Sequence, residues 1–213
     1  MNLHAMSVRS KLIMAIGVPI LLMVIAGGIT YNNLQSMQET DRWVAHTHKV
    51  LATASQITAA AVDMETGMRG FLLAGKEAFL EPYKGGERRL YETIAALQQT
   101  VSDNPPQVER LGEIRGLLEQ WQQQVTEPAI ALRRQVGQGV TMDTIAERVG
   151  EARGKTYFDQ FRALIAEFEA IERDLMEARQ RANERMAEVT REVTVIGLGI
   201  ALLVGLGLGF YII

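Results

Sequence analysis

Residues 65–83 read ETGMRGFLLAGKEAFLEPY, and what this stretch is decides what the chain around it can be. Inside it, residues 70–76 run G-F-L-L-A-G-K, the spacing of a phosphate-binding loop, but Glu77 stands where such a loop needs a Ser or Thr hydroxyl. A phosphate loop follows a strand and turns on glycines so that free backbone N–H groups face the phosphates. The residues before Gly70 carry a helical pattern instead. Apolar or small residues recur at Leu34, Met37, Val44, Leu51, Ala54, Ile57, Ala61, Met64, Met68 and Phe71, in steps built from three and four. The N–H groups of residues 70–74 are then spent inside a helix, and Glu77 places negative charge where magnesium and phosphate would sit. The stretch reads as a corner between two helices, the first ending at Ala74-Gly75 because Gly takes the left-handed conformation that closes helices.

Working outward, a second helix starts near Glu77, with Leu80, Tyr83, Leu90, Ile94, Leu97 and Val101 on one stripe and Glu87 its only charged member. Residues 102–106, SDNPP, end it and open the next, since Pro suits a first helical turn. The third helix carries Val108, Leu111, Ile114, Leu118, Trp121, Val125, Ala129, Leu132 and Val136. Pro128 lies inside it, lacks an N–H and clashes with the Gln124 carbonyl, so a kink is expected there. Residues 137–143, GQGVTMD, form the third break, with Thr141 as N-cap. The fourth helix, interrupted near Gly150 and Gly154, has its stripe at Phe158, Phe161, Leu164, Phe168, Ile171, Leu175, Ala178, Ala182, Met186, Val189 and Val193. Ala178, Ala182 and Met186 are consecutive steps of four, a stutter that locally unwinds a left-handed supercoil and marks a signal-transfer segment.

Two uncharged runs flank these helices: residues 12–31, LIMAIGVPILLMVIAGGITY, and residues 193–213, VTVIGLGIALLVGLGLGFYII. Each is long enough to cross a hydrocarbon core of roughly 30 Å as a helix. A cleaved signal peptide is the alternative for the first, but its apolar run exceeds the usual h-region and the helical pattern continues directly after it, so a retained anchor is expected. His4, Arg9 and Lys11 precede it without an acidic residue, which places residues 1–11 in the cytoplasm and residues 32–192 outside. Gly197, Ala201, Gly205 and Gly209 recur every four residues in the second run, a small-residue stripe that permits close helix packing. The 47% apolar content is concentrated in these runs and stripes. The segment between the runs carries an acidic excess of about five charges, which provides no electrostatic footprint for nucleic acid. With no Cys there are no disulfides or thiolate metal sites, and His46 and His48, two apart, lie on different faces of a helix. The expected fold is all-α: an antiparallel four-helix bundle flanked by two transmembrane helices, its stripes buried against one another.

At this point residues carry a resemblance. Asp63, Glu65-Thr66-Gly67, Arg69-Gly70, Leu72-Leu73, Gly75, Phe79-Leu80 and Pro82-Tyr83 resemble the signature of the third class of the CHASE family of bacterial extracellular sensory domains. Residues 154–179, GKTYFDQFRALIAEFEAIERDLMEAR, are similar to that family's last helix, including Arg162 and Glu169. Met68 departs from the polar residue, such as Gln, often found there. The resemblance implies a membrane-flanked four-helix bundle serving as the input portion of a chemoreceptor, a sensor histidine kinase or a cyclase. It carries no general ligand.

Glu65 and Arg69, four apart, suit a helical ion pair. They admit two readings: Arg69 satisfies the open carbonyls at the end of the first helix, or Glu65, Arg69, Tyr83, Glu87 and Arg88 form a polar pocket for a small charged ligand. The chain is expected to be the sensory half of an inner-membrane receptor, most simply of a methyl-accepting chemotaxis protein, acting as a homodimer on an unknown small-molecule or protein ligand. A histidine-kinase input half and a non-signalling membrane-anchored scaffold are the alternatives. No catalytic group, cofactor site or metal site is expected, and no output module follows the second run in this sequence.

Overall fold

The structure, a computed structural model, describes residues 8–212. His4 of the basic leader lies outside the described residues, as do the side chains of Lys11 and Leu12 and the surroundings of Gly209. The helices run in the order α1 (Val8–Ala74), a short 3-10 turn (Glu77–Leu80), α2 (Glu81–Thr100), α3 (Pro105–Trp121), a π-helical turn (Gln122–Thr126), α4 (Glu127–Arg134), α5 (Met142–Gly150) and α6 (Arg153–Ile212). The chain divides into two compact units, residues 46–175 and residues 1–45 with 176–213.

The first unit is an all-α bundle whose arms run antiparallel, as their side-chain pairings show. Between α1 and α2 the ion pair Asp63–Arg89 stands near the Gly67–Tyr83 contact. Between α2 and α3, Gln98 reaches the Val108 carbonyl while Tyr91 reaches Gln122. Between α3 and α6, Gln107 meets Glu172 and Trp121 meets Phe158. The expected stripes form this core: Ala54, Ile57, Ala61, Met64, Met68 and Phe71 from α1, and Leu90, Ile94 and Leu97 from α2, are buried. Leu111, Ile114, Leu118 and Trp121 from α3 join them. On α6 the buried series is Phe158, Phe161, Ile165, Phe168 and Glu172, so the inward face lies beside Ile171 and Leu175, which are only half-buried.

Two local expectations take a different form. The disturbance expected at Pro128 takes the form of a π turn and a helix restart. The turn before it widens to π geometry over Gln122–Thr126, so the missing N–H falls at the start of α4, where it costs nothing. The break expected at Gly150 and Gly154 falls at Glu151-Ala152, where Ala152 takes φ 55°, a left-handed conformation without glycine's freedom, and Gly154 lies inside α6. Gly75 at the end of α1 does adopt φ 67°, and Thr141 caps α5 by accepting from the Thr144 N–H at 3.3 Å.

The close packing of α1 on α2 rests on two glycines. A Cβ at Gly67 would lie 2.6 Å from the Tyr83 nitrogen, and one at Gly86 would lie 2.7 Å from the Ala60 carbonyl oxygen. Gly70 is covered by the Phe79 ring, 2.8 Å from where its Cβ would be, so the stretch that spells a phosphate loop is a helix end under an aromatic side chain.

In the second unit the helices bury a small and polar face and expose an apolar one. Asn33, Ser36, Thr40 and Trp43 of α1 and Arg179, Asn183, Ala187, Thr190 and Thr194 of α6 are half-buried, whereas Leu34 and Met37 are 54% and 41% exposed. Ala178, Ala182 and Met186 also point outward, correcting the inward stripe expected of them. The consecutive steps of four recur one residue over, at Arg179, Asn183 and Ala187, because the buried series on α6 is offset. Arg179 stacks on the Trp43 ring at 4.3 Å, and Asn183 Oδ1 is buried without a hydrogen-bond partner among the described residues. Of the small-residue stripe, Ala201 is buried and Gly205 faces Pro19, while Gly197 meets open space. Each long helix includes a stretch apolar enough to cross a membrane, exposed on nearly all sides.

Gly67→Ala and Gly86→Ala should each lower the melting temperature although Ala favours helix by about 1 kcal/mol. Gly116→Ala, with nothing within 4 Å of the new methyl, should raise it. Circular-dichroism melts of the three variants in nanodiscs check this, and equal shifts would contradict the close-approach account.

Candidate ligand cleft of the helical bundle

The corner at residues 65–83 is closed by arginines that sequence reasoning did not single out. The Gly75 N–H donates to the Phe71 carbonyl at 2.8 Å. The Leu72 carbonyl, left open by the end of α1, accepts from Arg133 Nε at 2.7 Å. Arg134 pairs through two nitrogens with the Glu77 carboxylate, at 2.8 and 3.1 Å, and its guanidinium lies over the Phe71 ring. That guanidinium holds the Glu77 carboxyl below its usual range. Arg69 plays no such part. It bonds Glu65 at 2.6 Å and leaves 66% of its side chain exposed. The capping role expected of Arg69 therefore belongs to Arg133, whose α4 is brought beside α1 only by the folded bundle.

The five residues considered together as a pocket lie in three places. Tyr83 and Glu87 belong to a polar seam between α2 and the π turn. The Tyr83 hydroxyl donates to Glu127 Oε1 at 2.7 Å and lies 3.0 Å from Thr126 Oγ1. Gln122 donates to Glu87 and accepts from the Tyr91 hydroxyl. The widened turn is what aims both Gln122 and Thr126 at α2. Burial, with Glu127 beside it, pushes the Tyr83 hydroxyl pKa well up, and burial, reinforced by Glu119 and Glu87, pushes Tyr91 up to about 12. Arg88 is exposed, away from the seam.

Glu65 and Arg69 instead border a cleft of about 190 Å³ lined by α1, α3, the π turn, α4, α5 and the start of α6. Its floor is apolar: Met68, Leu72, Trp121, Val125, Ala129 and Val149. Its rim is basic, with Arg69, Arg148, Arg153 and Lys155 against the single carboxylate of Glu65. Trp121 is held by an edge-to-face contact with Phe158 at 5.5 Å, and Phe158 in turn meets Phe161 at 5.6 Å. The sequence offers Trp121 as a residue of the third stripe and Gly154 as a break in the fourth helix, but their juxtaposition depends on the turn at Ala152.

A second buried polar group stands apart from the cleft. Gln107 donates to the Phe168 carbonyl at 3.1 Å and to Glu172 Oε1 at 2.9 Å, and accepts from Arg110 at 2.8 Å, so the buried Glu172 carboxylate has a donor. Among the described residues no group of three or more His, Asp or Glu side chains is placed to hold a metal ion.

Comparison with known proteins agrees with this architecture. Residues 40–182 match the model of the CHASE3 domain. The fold is shared with the sensor domain of the Rhodopseudomonas palustris histidine kinase HK9, at 23% identity and a TM-score of 0.54 over 62% of this chain and 98% of that one. No curated protein matches the sequence at significant similarity.

Arg133→Ala should destabilise the fold by about 1–3 kcal/mol through the unpaired Leu72 carbonyl. Arg69→Ala, losing an exposed pair, should cost about 0.5 kcal/mol or less. Urea melts of both variants test the reassignment. Alkaline stability follows from the tyrosines. The unfolded chain releases these protons near the ordinary 10.0 while the fold keeps them, so the stability they contribute is whole below pH 10 and is lost as the pH climbs toward the folded values. Tyr83→Phe and Tyr91→Phe should flatten the fall in stability between about pH 10 and about pH 12, and an unchanged slope would show that the hydroxyls titrate alike in both states.

Proposed function

Since the chain belongs to the CHASE3 family of extracellular sensory domains, we propose that it is the input half of a transmembrane receptor of a bacterial inner membrane. In this reading residues 12–31 and 193–213 cross the bilayer, Arg9 and Lys11 keep the N-terminus in the cytoplasm, and residues 32–192 are periplasmic. The observation that carries it is the continuity of α6, one helix from Arg153 on the cleft to Ile212. A ligand that prefers one position of its first turn biases the whole helix.

The segment best suited to convert that bias into two states is Arg179, Asn183 and Ala187. Consecutive steps of four relax the supercoil there, and among the described residues the buried Asn183 Oδ1 has no bond that ties it to one register. A homodimer is supported by the stripe Met186, Val189, Val193, Ile196, Ile200 and Leu203, whose side chains are 43–72% exposed and recur in steps of three and four. We assign the chain no catalysis. Kinase or methyl-accepting chemistry belongs to the output module that such an input half serves. A chemoreceptor and a histidine kinase would share this half, and the likeness of fold to a kinase sensor domain supports the second as much as the family supports either.

The experiment is a fusion of this chain to a reporter kinase, with one to seven alanines inserted after Ala178. A signalling helix should make basal output oscillate with a period near 3.6 residues, each alanine rotating it by about 100°. Output that stays constant across the series would favour the scaffold reading.

A further inference from the structure

The cleft has more specific chemistry than its sign of charge. Three of its four rim cations already have carboxylates: Arg69 with Glu65, Arg148 with Glu151 and Lys155 with Asp159. Arg153 has no ion-pair or hydrogen-bond partner among the described residues. It is also the first residue of α6, where the backbone N–H groups of Arg153, Gly154 and Lys155 precede the first intrahelical bond, Thr156 N–H to the Ala152 carbonyl at 3.2 Å. Arg153, Gly154 and Lys155 all line the cleft, so the positive end of the helix dipole and one unmatched guanidinium lie at its border.

An independent observation comes from the floor. The Trp121 side chain is 1% exposed, its indole N–H has no protein acceptor among the described residues, and its nitrogen is not one of the fully buried polar atoms, so the N–H opens into the cleft. It opens toward Gly154: a Cβ there would lie 3.8 Å from Trp121 Nε1 and 3.3 Å from Val125 Cγ1. An acceptor seated beside Gly154 would meet the indole N–H together with the α6 N–H groups, with Arg153 at the rim, while Met68, Leu72 and Val149 provide apolar walls. At about 190 Å³ the cleft is smaller than the roughly 300–1,000 Å³ pockets of drug-sized ligands, so its occupant is small.

We propose that this cleft binds a small organic monocarboxylate with an apolar body, its carboxylate held by the N-terminus of α6, Arg153 and the Trp121 indole N–H. One unmatched cation selects a single negative charge, and the apolar floor disfavours inorganic anions. Because α6 begins at the carboxylate, occupancy acts on the element assigned to signal transfer. The inference deepens the sensory reading and rests on it for its role, although binding can be measured without signalling.

The test uses the full chain in nanodiscs, with Trp43→Phe so that Trp121 is the remaining indole. Sodium benzoate is the probe, benzamide its uncharged counterpart, and inorganic phosphate the anion without an apolar body. Benzoate should change Trp121 fluorescence saturably and raise the melting temperature, with benzamide and phosphate at least about tenfold weaker. Arg153→Gln should weaken benzoate by about tenfold or more with an unchanged melt. Gly154→Ala should weaken benzoate at least about tenfold, since its methyl would stand 3.8 Å from the Trp121 indole nitrogen and crowd the acceptor's place. Absence of saturable benzoate binding, equal binding of benzamide or phosphate, or full affinity in Arg153→Gln would overturn the site. Those results leave the reporter fusion free to respond to alanine insertion. Binding as expected in a chain whose fusion shows no oscillation would keep the site and reject the sensory role.

Discussion

Everything in the bundle is arranged around the place where the backbones of α1 and α2 come within van der Waals distance, at Gly67 and Gly86. No side chain fits between the Gly67 Cα and the Tyr83 nitrogen, or between Gly86 and the Ala60 carbonyl. That approach sets Tyr83 deep enough for its hydroxyl to reach Thr126 and Glu127, which requires the third arm to present both, and the π turn before Pro128 does so. A glycine inside a helix costs about 1 kcal/mol relative to alanine, so two of them facing one neighbour are retained for what they let approach.

The same geometry explains why the cleft is amphipathic. Trp121 ends α3 immediately before the π turn and is fixed from one side by Phe158, so its ring forms floor while its N–H faces the start of α6. The chain reaches that start through Ala152 in a left-handed conformation, an energetically unfavourable choice for a residue with a Cβ. The charges around it are mostly neutralised locally, which keeps the rim soluble without making the cavity a general anion trap. The Gln107–Glu172 network shows the contrasting solution elsewhere in the same core, where a buried carboxylate takes its donor from the protein's own side chains.

In the unit formed by residues 1–45 and 176–213 the usual inside-out rule is reversed. Polar and small side chains such as Asn33, Ser36, Thr190 and Thr194 lie half-buried, and Leu34, Met186, Val189 and Val193 are presented outward. Two helices alone bury only one narrow strip, and small residues make the closest strip. The larger apolar side chains are left for lipid or for another protein surface.

Helix identity, order and most of the core were legible because the three-and-four spacing of apolar residues is local information: Ile57, Met64, Leu90, Ile94, Leu111 and Phe161 are buried as their stripes imply. So were the corner, from Gly75, and the cap at Thr141, since both depend on residues a few positions apart. Ala178, Ala182 and Met186 face outward while Arg179, Asn183 and Ala187 are half-buried, because sequence periodicity cannot tell which of two adjacent faces a partner will cover. The candidate site was legible only as far as Glu65 and Arg69. Tyr83 and Glu87 turned to a different neighbour, and the roles of Arg133, Arg153 and the Trp121 indole had no signal, because each depends on atoms distant along the chain being brought together. A sequence determines which helices form from neighbours within a turn. Which side chain reaches which carbonyl, and which polar hydrogen is left facing a cavity, is decided only when those helices pack.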